Sequence, residues 1–196
     1  IGFDGDDTLW RSQEFYDDAQ GEVEAIVARY VDLSAEGVRA KLLATETTNI
    51  ALFGYGVKGM VLSMVEAAIE LTNGKVETRD LHRIVALGKE LLLHPVELLP
   101  GIDMAVRAVA ATHRVVVITK GDLFHQERKV AACGLGEVFH RIEIVSEKDD
   151  ATYARLLREF EVDAGEFAMV GNSLRSDITP VVALGGWGIY MPYHPV

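Results

Sequence analysis

The sequence predicts an α/β fold, a doubly wound parallel sheet with an inserted all-helical domain. Two observations carry this expectation. From Leu99 onward, short apolar and β-branched runs alternate with helical periods, the pattern of βαβ units. Another strand-like run opens the chain, and the long stretch between the two shows helical periods only.

Taken in order, Ile1-Gly2-Phe3 is an apolar lead into Asp4-Gly5-Asp6-Asp7-Thr8-Leu9-Trp10. A buried strand that ends in carboxylates delivers them to the edge of a sheet, and in open α/β folds ligands bind outside the carboxyl ends of the strands. Asp4 and Asp6 are two apart, so extended backbone puts them on one face. Carboxylates that close repel, and one of them holds a proton more tightly unless a cation lies between them. The stretch therefore predicts a metal site or a nucleophile and acid pair. The plain alternative is an acidic turn, since Asp and Gly favour turns.

From Glu14 to Leu93 the apolar residues follow helical spacing. Ala19, Val23, Ile26, Val27 and Tyr30 fit one face, and Ser34 can cap a helix carrying Val38, Leu42 and Leu43. Val57, Met60, Val61, Met64, Val65 and Ala68 mark a third helix. Leu81, Ile84, Val85, Leu91 and Leu92 mark a fourth behind a Thr78 cap. Core packing is the ordinary meaning of such stripes.

A helix from about Ile102 to Ala111 then leads into Val115-Val116-Val117-Ile118-Thr119, a run typical of a strand buried on both faces. The strands Ile142–Val145, Phe167–Val170 and Trp187–Tyr190 follow, separated by helices, the last running through Leu184. Residues 1–12 and 99–196 then form a Rossmann-like catalytic core, and 13–98 form a helical cap that would cover the Asp4 end and shut out water.

The 196 residues suffice for one domain with an insertion, and the net charge of −11 argues against general affinity for nucleic acid or acidic membrane surfaces. No apolar run approaches the ~20 residues that span a bilayer. The single Cys133 predicts a buried, inert thiol in a reducing compartment, hence a soluble cytoplasmic protein. The opening on Ile1 without methionine and the close on Pro195-Val196 suggest further residues at either end.

The chemistry gathers at the strand ends. The first ends in Asp4 and Asp6 and the second in Thr119-Lys120-Gly121-Asp122. The third leads to Ser146-Glu147-Lys148-Asp149, and the fourth to Gly171-Asn172-Ser173-Leu174-Arg175-Ser176-Asp177. Singly, Thr119 reads as a helix cap, Lys148 as a surface lysine and Asp177 as helix-start decoration. A parallel sheet puts all four ends on one edge, where they suit an anionic ligand and a hard cation with oxygen ligands.

On these residues the chain resembles the haloacid dehalogenase superfamily of hydrolases, in its phosphatase type with a small helical cap between the first and second motifs. Asp4-Gly5-Asp6-Asp7-Thr8-Leu9 matches the first motif, Asp-x-Asp-x-Thr-Leu; Thr119 matches the second and Lys148 the third. The resemblance implies that Asp4 is the nucleophile, Asp6 the general acid and base, and Thr119, Lys120 and Lys148 the phosphate-binding groups. It implies Mg²⁺ held through Asp4, the backbone carbonyl of Asp6, Asn172 and Asp177. The fourth motif departs from the commonest pattern, with Asn172 where an acid usually follows glycine. The expected partner is a small phosphorylated metabolite, hydrolysed through an aspartyl-phosphate. The alternatives are a 2-haloacid dehalogenase-type hydrolase, which needs no acid at position 6, and a weakly catalytic phosphate-binding or regulatory protein. In the cap, Phe53-Gly54-Tyr55-Gly56-Val57-Lys58-Gly59 is a glycine-rich turn whose Tyr55 and Lys58 could reach a substrate. A simple helix-helix turn is the plainer reading of it.

Overall fold

The computed structural model of the chain describes residues 1–193; Pro195 and Val196 lie outside them. By its contacts the chain divides into two units, residues 1–13 with 95–196, and residues 14–94.

The second unit is helical. It consists of α1 (Gln13–Ala28), α2 (Ala35–Phe53), α3 (Val57–Leu71) and α4 (Thr78–Leu93). Val23, Val27, Val38, Met64, Ala67 and Ile84 meet in its own core. The Ser34 hydroxyl accepts from Gly37 N at 3.2 Å and caps α2. Two local expectations are corrected. Thr78 is the first residue inside α4 rather than its cap: Glu77 holds the cap position without a side-chain cap bond, and its N–H donates to the Tyr30 hydroxyl at 3.3 Å. Leu43 is exposed rather than packed, lying off the face that carries Leu42.

In the first unit, β1 (Gly2–Phe3), β2 (Val116–Lys120), β3 (Arg141–Val145), β4 (Ala168–Gly171) and β5 (Trp187–Tyr190) form one parallel sheet in the order β3-β2-β1-β4-β5. The chain steps outward from β1 to β2 and β3, then returns to the other side of β1 for β4 and β5. The loops after β1 and β4 therefore diverge, which opens a crevice at the carboxyl ends of the strands. Side chains alternate between faces, as strand geometry requires. Phe3, Val115, Val117 and Val170 pack with Ile102 and Val106 of α5 (Ile102–Ala110) and Val130 of α6 (Leu123–Ala132). Val116, Ile118 and Met169 pack with Tyr153, Leu156 and Leu157 of α7 (Asp150–Phe160) and Val181 of α8 (Thr179–Ala183). This is the doubly wound α/β architecture, with helices on both faces.

The segments that lead into and out of the helical unit are paired with each other. Trp10 bridges Leu98 in antiparallel sense, Arg11 N donates to Glu97 O at 2.9 Å, and Leu99 N donates to Leu9 O at 3.0 Å. The segment expected as one helix through Leu184 is instead a π-helical turn, Leu174–Ile178, ahead of α8. Cys133 is buried, as its isolation in the sequence predicts. Among the described residues no helix is long and apolar enough to cross a membrane.

Candidate active site

The crevice is built first from glycines. A Cβ on Gly5 would lie 2.8 Å from Trp10 Cζ2 and 3.1 Å from Thr119 Oγ1, so only glycine lets the first loop close against β2. That loop is held by Leu9 N donating to Gly5 O at 2.8 Å. Asp7, at φ 61°, accepts from Ser12 N and Gln13 N at 2.8 and 2.9 Å and so caps the start of α1.

Asp4 extends β1 by one backbone bond, from its N–H to Val170 O at 2.9 Å. Its carboxylate is buried and accepts from Lys148 Nζ at 2.5 Å and from Thr8 Oγ1 at 3.2 Å. Lys148 is shared. The same ammonium donates to Asp177 Oδ1 at 2.7 Å, and all three residues are buried. Asp177 gains its place from the π-helical turn, which brings the second oxygen back to Ser173 N at 2.9 Å. The approach is close enough that a Cβ on Gly171 would lie 2.3 Å from Asp177 Oδ2. One lysine is thus shared by two buried carboxylates. Burial pushes the Asp4 carboxyl up to about 6; Lys148 pulls it back down, and Asp177 raises it again.

Asp6 faces different company. Trp10 Nε1 and Lys129 Nζ donate to its Oδ1 at 2.7 and 2.6 Å, and Gln126 Nε2 donates to Oδ2 at 2.8 Å. Burial works to raise its carboxyl, but Lys129 and the hydrogen bonds from Gln126 and Trp10 outweigh it and hold the group below the usual carboxylate range. Lys129, Gln126 and Trp10 are site residues that sequence reasoning missed. A signal existed in retrospect: Gln126 and Lys129 are three apart on the helix that follows the second strand, hence on one face.

Of the other residues singled out from the sequence, Thr119 is buried at the end of β2 beside Gly5. Lys120 is partly exposed and pairs with Glu147 at 3.5 Å. Asn172, partly buried, follows β4 directly. Within the helical unit, Tyr55 lies half-buried in the turn between α2 and α3, and Lys58 is exposed in the first turn of α3. Asp149 caps α7 by accepting from Thr152 N at 2.8 Å.

The residues present fit a hard cation. Among the described residues no three His, Cys, Asp or Glu side chains group to hold a metal by themselves. A cation here would draw on Asp4, Asp177, the Asn172 amide and the Asp6 carbonyl, all oxygen donors of the kind Mg²⁺ takes. Each carboxylate keeps lone pairs beyond the bonds described above. The unbalanced negative charge beside Lys148 is what a cation would neutralise.

Comparison with known proteins bears on the family and the fold. A family model described as haloacid dehalogenase-like hydrolase matches residues 1–185. A crystal structure of a haloacid dehalogenase-like family hydrolase from Xanthomonas campestris is 56% identical, covering 99% of this chain and 82% of that one, with a TM-score of 0.92. Two more distant structures share the fold. A predicted phosphoglycolate phosphatase from Haemophilus somnus is 18% identical, over 98% of this chain and 88% of that one, at a TM-score of 0.62. A 2-haloacid dehalogenase from Pseudomonas syringae is 19% identical, over 96% and 84%, at 0.65. Comparison with curated proteins gave no match. The family model spans nearly the whole chain, and the chain belongs to the haloacid dehalogenase-like hydrolases.

Proposed function

We propose that the protein is a Mg²⁺-dependent phosphohydrolase that acts on a small phosphorylated metabolite through an aspartyl-phosphate on Asp4. The observation that carries this reading is the second carboxylate, Asp6, fixed by three donors two residues from the nucleophile. A phosphate ester needs a proton on its leaving oxygen, whereas halide leaves without one.

In this reading the Asp4 carboxylate attacks phosphorus in line while the ester bond breaks, which splits one hard hydrolysis into two easier steps. Asp6 gives its proton to the departing oxygen. It then takes a proton from the water that attacks the aspartyl-phosphate, releasing phosphate and restoring Asp4; such acid/base work is worth ~10²–10⁴ in rate. Lys148, the Thr119 hydroxyl and Lys120 stabilise charge on the phosphoryl oxygens. Asp4, the Asp6 carbonyl, Asn172 and Asp177 would hold Mg²⁺, which would supply positive charge that favours ionised Asp4 and offsets its repulsion from the phosphate. Tyr55 and Lys58 of the helical cap are the candidate substrate contacts. A lone buried thiol, Cys133, suits the reducing cytoplasm.

One specific feature favours a second reading. Asn172 removes a negative charge from the cation site, as suits a metal-independent 2-haloacid dehalogenase. The assay that separates them follows phosphate release from an aryl phosphate with Mg²⁺ and with chelator, beside halide release from a 2-chloroacid. Mg²⁺-dependent phosphate release that Asp4→Asn lowers by more than ~10³-fold is the expected result. Halide release indifferent to chelator would replace the phosphohydrolase reading.

A further inference from the structure

On the phosphohydrolase reading, we propose that Lys129 and Gln126 of α6 are positioning residues for Asp6, and that they set how strongly the rate depends on the leaving group. The geometry is that of a clamp. Lys129 Nζ and Trp10 Nε1 reach one carboxylate oxygen and Gln126 Nε2 the other, so the side chain has one orientation in which all three bonds form. The clamp is itself braced. Gln126 is buried and donates a second bond to Lys120 O at 3.1 Å, and it packs on Gly121, where a Cβ would lie 3.0 Å from its Nε2. Gly121 holds a φ of 138°, which side chains rarely adopt, so the close approach is built into the turn. Lys129 also contacts Ser12 Oγ at 3.4 Å. Asp122 accepts from His125 N at 3.0 Å and caps α6, fixing the helix, and with it positions 126 and 129, at the end of β2.

This arrangement bears on one step. When the ester P–O bond breaks, its electron pair stays on the departing oxygen, which takes the proton from Asp6. The carboxylate left behind gains charge at the point where the ammonium and two N–H donors converge. Alkoxide leaving groups require that proton; a nitrophenolate leaves nearly without it. The clamp therefore matters most for poor leaving groups, and its loss is graded by leaving-group basicity. A merely structural role would lower all substrates alike.

The test measures kcat/KM with Mg²⁺, which covers events up to ester cleavage, for p-nitrophenyl phosphate, phenyl phosphate and an alkyl phosphate. Lys129→Met is expected to lose ~10²-fold on the alkyl ester, with a loss at least ten times smaller on the nitrophenyl ester. Gln126→Ala is expected to follow the same gradient less steeply, and Lys129→Arg to recover most of the alkyl-ester rate. Thermal melting monitors folding, and if Lys129→Met does not fold, Gln126→Ala and Lys129→Arg decide. Equal losses across the series, or no loss on the alkyl ester, overturn the inference while the phosphohydrolase reading stands. A wild-type protein that hydrolyses none of the three esters removes both.

Discussion

Asp4 and Asp6 leave the same strand two residues apart and meet opposite electrostatics. Asp4 shares a single ammonium with Asp177, and burial leaves its carboxyl raised to about 6. Asp6 has Lys129 largely to itself, with two neutral donors besides, and is held ionised. Pushing two carboxyls apart in this way is how one site assigns two roles. On the proposed phosphohydrolase reading the first step needs an ionised nucleophile, which a carboxyl at about 6 supplies at neutral pH, and a protonated acid, the reverse of the state in which Asp6 is held. On that reading the proton on Asp6 arrives with the phosphate ester bound beside it, and a cation beside Asp4 and Asp177 would keep Asp4 ionised.

The largest break in the comparison comes from removing the shared cation. Lys148→Met leaves two carboxylates buried without compensation, and is expected to cost about 3–5 kcal/mol of stability at neutral pH, read from urea unfolding. Part of that loss should return as pH is lowered and Asp4 takes up a proton. A variant as stable as wild type at pH 7.5 would mean that the two carboxylates are not balanced by this lysine alone.

Next is the glycine behind Asp177. Gly171→Ala forces a methyl group into space that the carboxylate fills, at an expected cost of about 1–3 kcal/mol. On the proposed reading, phosphohydrolase activity should fall with it, because Asp177 can no longer meet Lys148 and Ser173 N together. Unchanged melting temperature and activity would show that the turn relaxes freely.

A smaller effect sharpens the Asp6 side. His125 is buried one position before Gln126, and burial, with the Lys129 charge, pushes its imidazole down to about 4 from 6.5. The unfolded chain then binds more protons between these values, so stability is full above about pH 6.5 and falls as pH drops toward 4. Between pH 7.5 and 5 that contribution amounts to about 2 kcal/mol. His125→Gln should flatten the urea midpoint over this range by a corresponding amount. An unaltered pH dependence would mean that the imidazole reaches solvent.

How much of this could be read from the chain depends on distance along it. The Asp-x-Asp spacing, the β-branched run before Thr119 and the alternation after Leu99 are local signals, and they suffice for a parallel sheet whose ends share one edge. The joining of Lys148 to both Asp4 and Asp177 follows from that topology only in outline. Which carboxylates share a lysine is set by the π-helical turn, and nothing in Leu174–Ile178 distinguishes that turn from ordinary helix. The Asp6 clamp was harder still. Gln126 and Lys129 lie more than a hundred positions from Asp6, and a Gln or Lys on a helix after a strand is ordinarily a solvated face. Trp10 stands just past the first motif, and nothing in the sequence marks its indole N–H as a donor to Asp6. Likewise Trp187-Gly188-Ile189-Tyr190 reads as a strand of the sheet without a sign of its place in it, and as the last strand it is exposed along its whole length. Periodicity tells apolar from polar, but not which strand has a neighbour.

The paired segments around Trp10 and Leu98 carry a consequence for how this chain could be remade. Arg11 and Glu97 are 86 positions apart in sequence, yet their backbones are joined by a hydrogen bond. Bringing together the ends of so long an excursion costs about 4 kcal/mol of chain entropy. A two-residue hairpin turn spliced between the same partners would close that gap at far lower cost. The doorway belongs to the sheet unit rather than to the module it admits, which makes it a natural point for excision, grafting or circular permutation. Another folded module whose termini lie one strand spacing apart could be fitted there while the strand that leads to Asp4 and Asp6 keeps its register.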